Sequence, residues 1–531
     1  MTVGYKFGLS QEPQIHDAVS DETTSQSFNP KRTQACGSLS EPTANPYPDN
    51  TGSLIANGEL WQRYLTGTFL RGASLGGGRW MRHAVIPLFV AVVAFSLVAS
   101  VASAGRPAGS SSETLTFTTS VLLQSNGSSE PAVAIGADGT AVFTGLSWRL
   151  FQTNVWTAPF GATPVFQGAP DAQIGKGIGG EDADVDFGST GTLHFSTLMA
   201  IPNPPFTTAR LGVSAITCLN ADTSNNFANC KAQLIDTTQA DRQWVTSDGA
   251  TVYISYHDSG SSTVIHVQRS DDDGFTWQRV SSPIPGQGRI TGDATFNNDQ
   301  GPLVADPTTH SVFAIYAAGE PSIQKGTSAN FNNIFVSRST DKGATWTPTL
   351  VFHAPLFTAL NNIFPALAVD PANGNLFAAW SDAHTVWLSM SSDHAASWSD
   401  PVAVNSGSAA TAVFPWTAAL NGKVDVVYYG TSASSKDDAT AVWNTYMAQT
   451  SDGVHFTQVV VSDHPNHVGV VCTFGTGCAR GTRNLLDLFE VAINPQTGKA
   501  AIIFTDDTLT TFTRSDGTVA PLPQVIVAWE S

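Results

Sequence analysis

Apolar and polar positions repeat one phrase along the chain. A polar or acidic lead is followed by an alternating apolar run, a turn carrying Asp or Asn with Gly, and a second apolar run. Seven copies occupy residues 130–145, 182–197, 241–258, 301–316, 364–382, 414–430 and 489–507. Each predicts a β-hairpin whose turn residues accept a positive φ. Successive copies start about 50 to 75 residues apart, which leaves room for two further strands in each unit. No amphipathic stretch beyond the first hundred residues demands a helix.

A lone four-stranded antiparallel sheet cannot bury both of its faces. Sheets stacked radially bury them against their neighbours and leave only short edges exposed. The repeat therefore predicts an all-β fold, a seven-bladed β-propeller over residues 105–531, with about 61 residues per blade. A sandwich rarely holds so many strands, and a parallel β-helix would show a shorter period.

A second phrase falls late in several units. It reads Ser270, Asp272, Gly274, Thr276, Trp277 and again Ser339, Asp341, Gly343, Thr345, Trp346. A weaker copy is Ser391, Asp393, Ser397, Trp398, and a shortened one is Thr450, Asp452, Gly453, Phe456. Ser and Asp side chains in such a turn hydrogen-bond the backbone groups that the turn leaves unpaired. Gly supplies the positive φ, and the aromatic residue covers the seam between blades. Arg269 and Arg338 directly precede the box serines and read as structural.

In these four phrases the chain resembles the sialidase (neuraminidase) superfamily, whose Asp-box or BNR repeats read S-x-D-x-G-x-T-W. The resemblance spans most of residues 115–530 and implies a propeller with a glycan-related role. It also implies that the boxes lie on the turn between third and fourth strands, remote from the functional mouth. Sialidases have six blades, so a six-bladed form is the alternative to the seven counted here. Seven-bladed Asp-box propellers occur among xyloglucan hydrolases and photosystem assembly factors, so the boxes alone do not define an activity.

The start of the chain reads as targeting sequence. Met81-Arg82-His83, the apolar run 84–101 and Ala102-Ser103-Ala104 form a secretory signal over residues 81–104. An uncleaved membrane anchor is the alternative, because the apolar run is about long enough to span a bilayer. Residues 1–80 are Ser-, Thr-, Asn- and Pro-rich without periodicity. They read as a disordered extension or as upstream sequence translated from the wrong start codon. The expected location is extracellular, or membrane-anchored and exposed outside, and the expected state is a monomer. Two close cysteine pairs, Cys218 with Cys230 and Cys472 with Cys478, read as local disulfides of an oxidising compartment. Zinc held by Cys472, Cys478, His464 and His467 is the rival reading. Asn126-Gly127-Ser128 is a glycosylation sequon only in a eukaryotic secretory pathway.

The net charge of −18 lies entirely beyond residue 104. Such a surface repels phosphate backbones and argues against nucleic-acid binding. In a propeller the head of each first strand and the end of each second strand share one mouth of the central channel. The heads carry Glu130, Glu181, Asp182, Asp184, Asp241, Asp299, Asp487 and Glu490, and the second strands end in His257-Asp258, Ser381-Asp382 and Asp506-Asp507. Converging carboxylates raise one another's pKa or hold a cation. Oxygen-rich surroundings make calcium the expected ion, on Asp182, Asp184, Asp241 and Asp487. The bland reading is that these acids cap strand ends singly.

The resemblance implies three arginines for a substrate carboxylate, a Tyr/Glu nucleophile pair and an Asp acid/base. Arg149, Arg242 and Arg483 are the candidate arginines, Tyr256 with Glu490 the candidate pair, and Asp258 the candidate acid. Tyr428 and Tyr429 are further nucleophile candidates. Ser129 stands where the family has its first arginine, two residues before Pro131, which argues against ordinary sialidase activity. The expected function is a secreted propeller that binds a glycan or other extracellular ligand at an acidic mouth. The alternatives are an exo-α-sialidase-like hydrolase and an envelope scaffold that binds a protein partner.

Overall fold

The seven hairpins are the first and second strands of seven antiparallel sheets in a computed structural model. It describes residues 115–531 apart from 176, 204–207, 239, 259–263, 286–297 and 320–330. The expectations for residues 1–80 and for the signal or anchor at 81–104 lie outside the described residues. The first strands are Val133–Ile135, Ala183–Phe187, Ala240–Asp248, Asn298–Asp306, Ala366–Val369, Thr411–Leu420 and Glu490–Ile493. They define blades 1 to 7. Each touches the next, and Glu490–Ile493 returns to Val133–Ile135, so the ring is closed. The fold is a seven-bladed β-propeller, and the six-bladed alternative is set aside.

Closure joins the two ends of the described chain. In blade 7 the outermost strand is Phe117–Val121, which pairs with Gln524–Glu530 in the register Phe117 opposite Glu530. Blade 7 is thereby built from both ends of the described chain, and no terminal blade is left with an uncovered face.

The core is divided among the seams. Trp156, Phe143 and Val133 of blade 1 pack with Val525, Val527 and Trp529 of blade 7. Phe313 and Ile315 of blade 4 pack with Leu376, Ala378 and Trp380 of blade 5. Because a blade is covered on both faces, its second strand is apolar nearly throughout, as in Ser311–Ala318, where every residue is buried.

Strand direction separates the two ends of the channel. In blade 3, Asp241 lies opposite His257 and His257 opposite Ile265, so all three mark one end. Asp248 opposite Thr251 and Val252 opposite Ser270 mark the other end, where the Ser270 turn follows. There Ser270 Oγ donates to Asp272 (2.8 Å) and accepts from Gly274 N (2.9 Å), while Asp272 accepts from Thr276 N (2.7 Å). The Ser339 turn repeats the arrangement, and its Trp346 Nε1 donates to Ser281 O beyond the last strand of blade 3. In the Ser391 turn Ala395, at φ 66°, stands where the others have Gly, and Ser397 N donates to Asp393. In the shortened turn Thr450 Oγ1 accepts from Gly453 N and Asp452 accepts from His455 N. Trp277, Trp398 and Phe456 each pack against a seam.

The four cysteines form two disulfides, Cys218–Cys230 and Cys472–Cys478, so neither of the latter sulfurs is a thiolate for zinc. No described helix is long and apolar enough to cross a membrane.

Ser339 is buried and its hydroxyl serves three partners in one turn. Ser339→Ala should lower the unfolding free energy by about 1–2 kcal/mol, read by denaturant titration. An unchanged midpoint would show that the turn holds without it.

Candidate functional site at the channel mouth

Three inner strands carry a register shift close to their heads, between Asp241 and Trp244, Gln300 and Leu303, and Val413 and Trp416. A bulge re-aims the side chains it contains. Arg242 (φ 56°) and Phe414 (φ 58°) lie within two of these bulges, and Glu130 (φ 48°) heads blade 1 in the same left-handed region.

The re-aimed Arg242 meets Asp487, with Nη2 2.8 Å from Oδ2, and its guanidinium lies 4.3 Å from the centre of the Phe364 ring. Arg483 grips the same carboxylate from four residues earlier in the chain. Its Nε donates to Asp487 Oδ1 (2.9 Å) and its Nη2 reaches Oδ2. The backbone N–H of Asp487 donates to Glu130 Oε1 at 3.0 Å, and Arg483 Nη2 stands 3.8 Å from that oxygen. Half-buried Glu181, Asp182, Asp241 and Asp299 complete the group. Phe364, Phe414, Pro415, Trp416, Leu488 and Phe489 line a depression together with Asp487. The mouth thus gathers carboxyl groups and two guanidinia, and the rings of Phe364, Phe414 and Phe489 beside them are packed in the buried core.

Its electrostatics follow from crowding in low dielectric. Burial, then repulsion from Asp182, pushes the Glu130 carboxyl well above the usual range. Burial raises Glu181 to about 7, with Asp182 and Asp241 adding to the shift. Burial likewise raises Asp299 to about 7, against the pull of Arg242. Asp487 goes the other way: burial opposes ionisation, but Arg242 and Arg483 outweigh it and hold the carboxyl below its ordinary value. One carboxylate held ionised therefore sits beside Glu130, Glu181 and Asp299, whose carboxyls burial shifts toward the protonated form.

A second group lies deeper along the inner strands. Asp184 Oδ1 accepts from Val185 N and its Oδ2 from Val245 N, both at 2.7 Å. Glu490 Oε2 accepts from Val133 N at 2.9 Å. These buried carboxyls tie one blade's inner strand to the next. Burial raises Asp184 to about 7, and burial with repulsion from Asp184 raises Glu490.

The structure brings together Arg242, Arg483, Asp182, Asp241 and Asp487 of the predicted residues. It places Asp184 and Glu490 in the deeper group. Asp258 pairs with His266 in blade 3. Tyr256 is buried and donates to Asp236 Oδ2 (2.5 Å) while accepting from Gln268 Nε2, apart from the hydrogen bond that holds Glu490. Tyr428 donates to Gln458, and Tyr429 accepts from Thr505 N. Arg149 lies on the exposed 148–151 turn, its stem over Gly127. His464 pairs with Asp463 and Asp506, and His467 with Asp507. The residues that sequence reasoning missed are Phe364, Phe414, Trp416 and Phe489. A signal was present, since Phe precedes Pro at the heads of both blades 5 and 6.

For the expected calcium, the positive charge at Asp487 comes from Arg242 and Arg483. Among the described residues no three His, Cys, Asp or Glu side chains converge as a metal shell requires.

No family model matches the chain. No curated protein matches it. Among solved structures it is similar to an ulvan lyase, a polysaccharide lyase, at 10% identity over 76% of this chain and 95% of that one, with a TM-score of 0.48. It is also similar to an α-L-arabinofuranosidase from Fusarium graminearum, at 13% identity over 57% and 88% with a TM-score of 0.39. A six-bladed fucose-recognising lectin from Aleuria aurantia matches at 9% over 65% and 97%, with a TM-score of 0.39. No residue role is carried over from these matches.

Two outcomes are expected. Removing Asp487 strands two half-buried guanidinia, so Asp487→Ala should cost on the order of 2 kcal/mol in chemical denaturation; a near-neutral effect would mean that neighbouring acids replace it. The second concerns pH. Carboxyls whose folded pKa is raised, such as Glu181, Asp184 and Asp299, stabilise the fold below about pH 4, and this is lost as pH rises through about 7. The turn aspartates run opposite: hydrogen bonds from Ser397 lower Asp393 to about 2, so its contribution is present above about pH 4 and lost as pH falls through about 2. The thermal midpoint should therefore be higher at pH 5 than at pH 8 and fall again below pH 3. A midpoint that rises from pH 5 to pH 8 would contradict the burial of these acids.

Proposed function

We propose that the channel mouth binds a neutral glycan. The observation that supports this is the convergence of Glu130, Glu181, Asp182, Asp241, Asp299 and Asp487 with Arg242 and Arg483 at one end of the channel, against the buried rings of Phe364, Phe414 and Phe489. A sugar presents hydroxyls that both donate and accept, and a mixture of ionised and protonated carboxyls with guanidinium answers both needs. An anionic sugar such as a sialoside meets an unfavourable field here, and both arginines are already engaged by Asp487. The four hydrogen-bonded turns support the resemblance to the sialidase superfamily in architecture, while the mouth departs from it in chemistry.

Hydrolysis is the second reading, favoured by one observation. Acids near pKa 7 at Glu181 and Asp299 stand in the same mouth as ionised Asp487. A carboxylic acid beside a carboxylate is the pairing that glycosidic cleavage uses.

Glycan-array binding of the full chain tests the first reading. Neutral oligosaccharides should bind and a lone anionic monosaccharide should not, and affinity should weaken above about pH 7 as Glu181 and Asp299 lose the protons they donate. Asp299→Asn, which keeps a donor, should flatten that pH dependence. A blank array would end the reading, and binding of the anionic monosaccharide alone would reverse its sign. Release of reducing sugar from a bound neutral glycan, falling above about pH 7, would establish the second reading; its absence leaves binding alone.

A further inference from the structure

Beside the acidic mouth, where blade 7 meets blade 1, lies a patch of opposite character. The 148–151 turn exposes Trp148, Leu150 and Phe151. It abuts the mouth's backbone at two glycines: a Cβ on Gly127 would lie 2.7 Å from Arg149 Cδ, and one on Gly180 would lie 2.5 Å from Gln152 N. Gly127 is three residues from Glu130, and Gly180 directly precedes Glu181. Trp148 meets Phe512 of the Thr511–Thr513 strand, with ring centroids 5.4 Å apart and planes at 51°. The Arg514 guanidinium lies 5.8 Å from the centre of the Phe512 ring. Arg480, from the loop that also carries Arg483, reaches the same hairpin at Asp516 (3.7 Å). Arg149 thus adjoins Trp148 in the turn, Arg514 lies over Phe512, and Arg480 stands by Asp516 of the same hairpin, three arginines to one carboxylate. In a chain of net charge −18 this is a local reversal of sign.

We propose that this patch is an outer subsite for an acidic sugar residue, a uronate or sulfated sugar, of an oligosaccharide whose adjoining neutral residue occupies the mouth. The proposal rests on the glycan reading of the mouth and deepens it. The C–H face of a pyranose is apolar and lies flat on an exposed indole, while its substituents project sideways. A carboxylate or sulfate on that ring meets a guanidinium with matching bidentate geometry. The carboxylates of the mouth repel the same group. Charge thus sets the register of the bound chain, with the neutral residue inside and the acidic residue outside.

Isothermal calorimetry with a hyaluronan tetrasaccharide, which alternates uronate and neutral sugars, and with its carboxyl-reduced form tests this. The full chain should bind the acidic form about tenfold more tightly. Arg149→Gln with Arg514→Gln should erase that preference and leave affinity for the reduced form unchanged. Trp148→Ala should weaken both by about tenfold, and Trp148→Phe should restore most of the loss. Equal affinity for the two forms, or a preference untouched by the arginine pair, overturns the subsite. So does full affinity in Trp148→Ala. These results leave the mouth reading standing if neutral glycans bind on the array, whereas a blank array removes both.

Discussion

Every blade is a sheet that must hide two faces, and the only cover available is the neighbouring blade. This one requirement organises the molecule. It splits the core into seams rather than a single centre, as Trp156 with Val525 and Phe313 with Trp380 show. It also forbids an open end, because a terminal blade would leave one apolar face wet. Pairing of Phe117–Val121 with Gln524–Glu530 meets that need by completing blade 7 from both ends of the described chain.

The site is a by-product of the same closure. Once seven inner strands stand in a ring, their heads converge whatever side chains they bear. Charges that are distant in sequence then share one low-dielectric space, as Glu130 and Asp487 do across 357 residues. Two guanidinia offset the Asp487 carboxylate, while burial shifts Glu130, Glu181 and Asp299 toward the protonated form. Dielectric and geometry together sort chemically similar residues into different states: Asp487 ionised, and Asp299 and Glu181 poised near neutrality. The outer patch extends this logic, with arginines at the rim opposite in sign to the carboxylates at the centre.

Much of this was legible beforehand because it depends on local rules. The period-2 runs named all seven hairpins, and the Ser-x-Asp phrases named turns whose hydrogen bonds close within five residues. The cysteine spacings named both disulfides. Partner choice was not legible, because it depends on register between blades. Tyr256 has the composition of a nucleophile, yet its strand turns it into the seam against Asp236. Asp184 and Glu490 read like their neighbours Asp182 and Asp487, but their place along the strand makes them ties between blades.

The amino-acid order alone thus determined the repeat, the blade count, the turn chemistry and an acidic mouth, since each follows from side-chain alternation or from groups a few residues apart. The tertiary structure decided which acids burial shifts and which arginines are already engaged, and it packed Phe364, Phe414 and Phe489 into the core beside the mouth. Those properties belong to burial and to distances between blades, and a backbone bulge that turns Arg242 toward Asp487 leaves no mark in composition or periodicity.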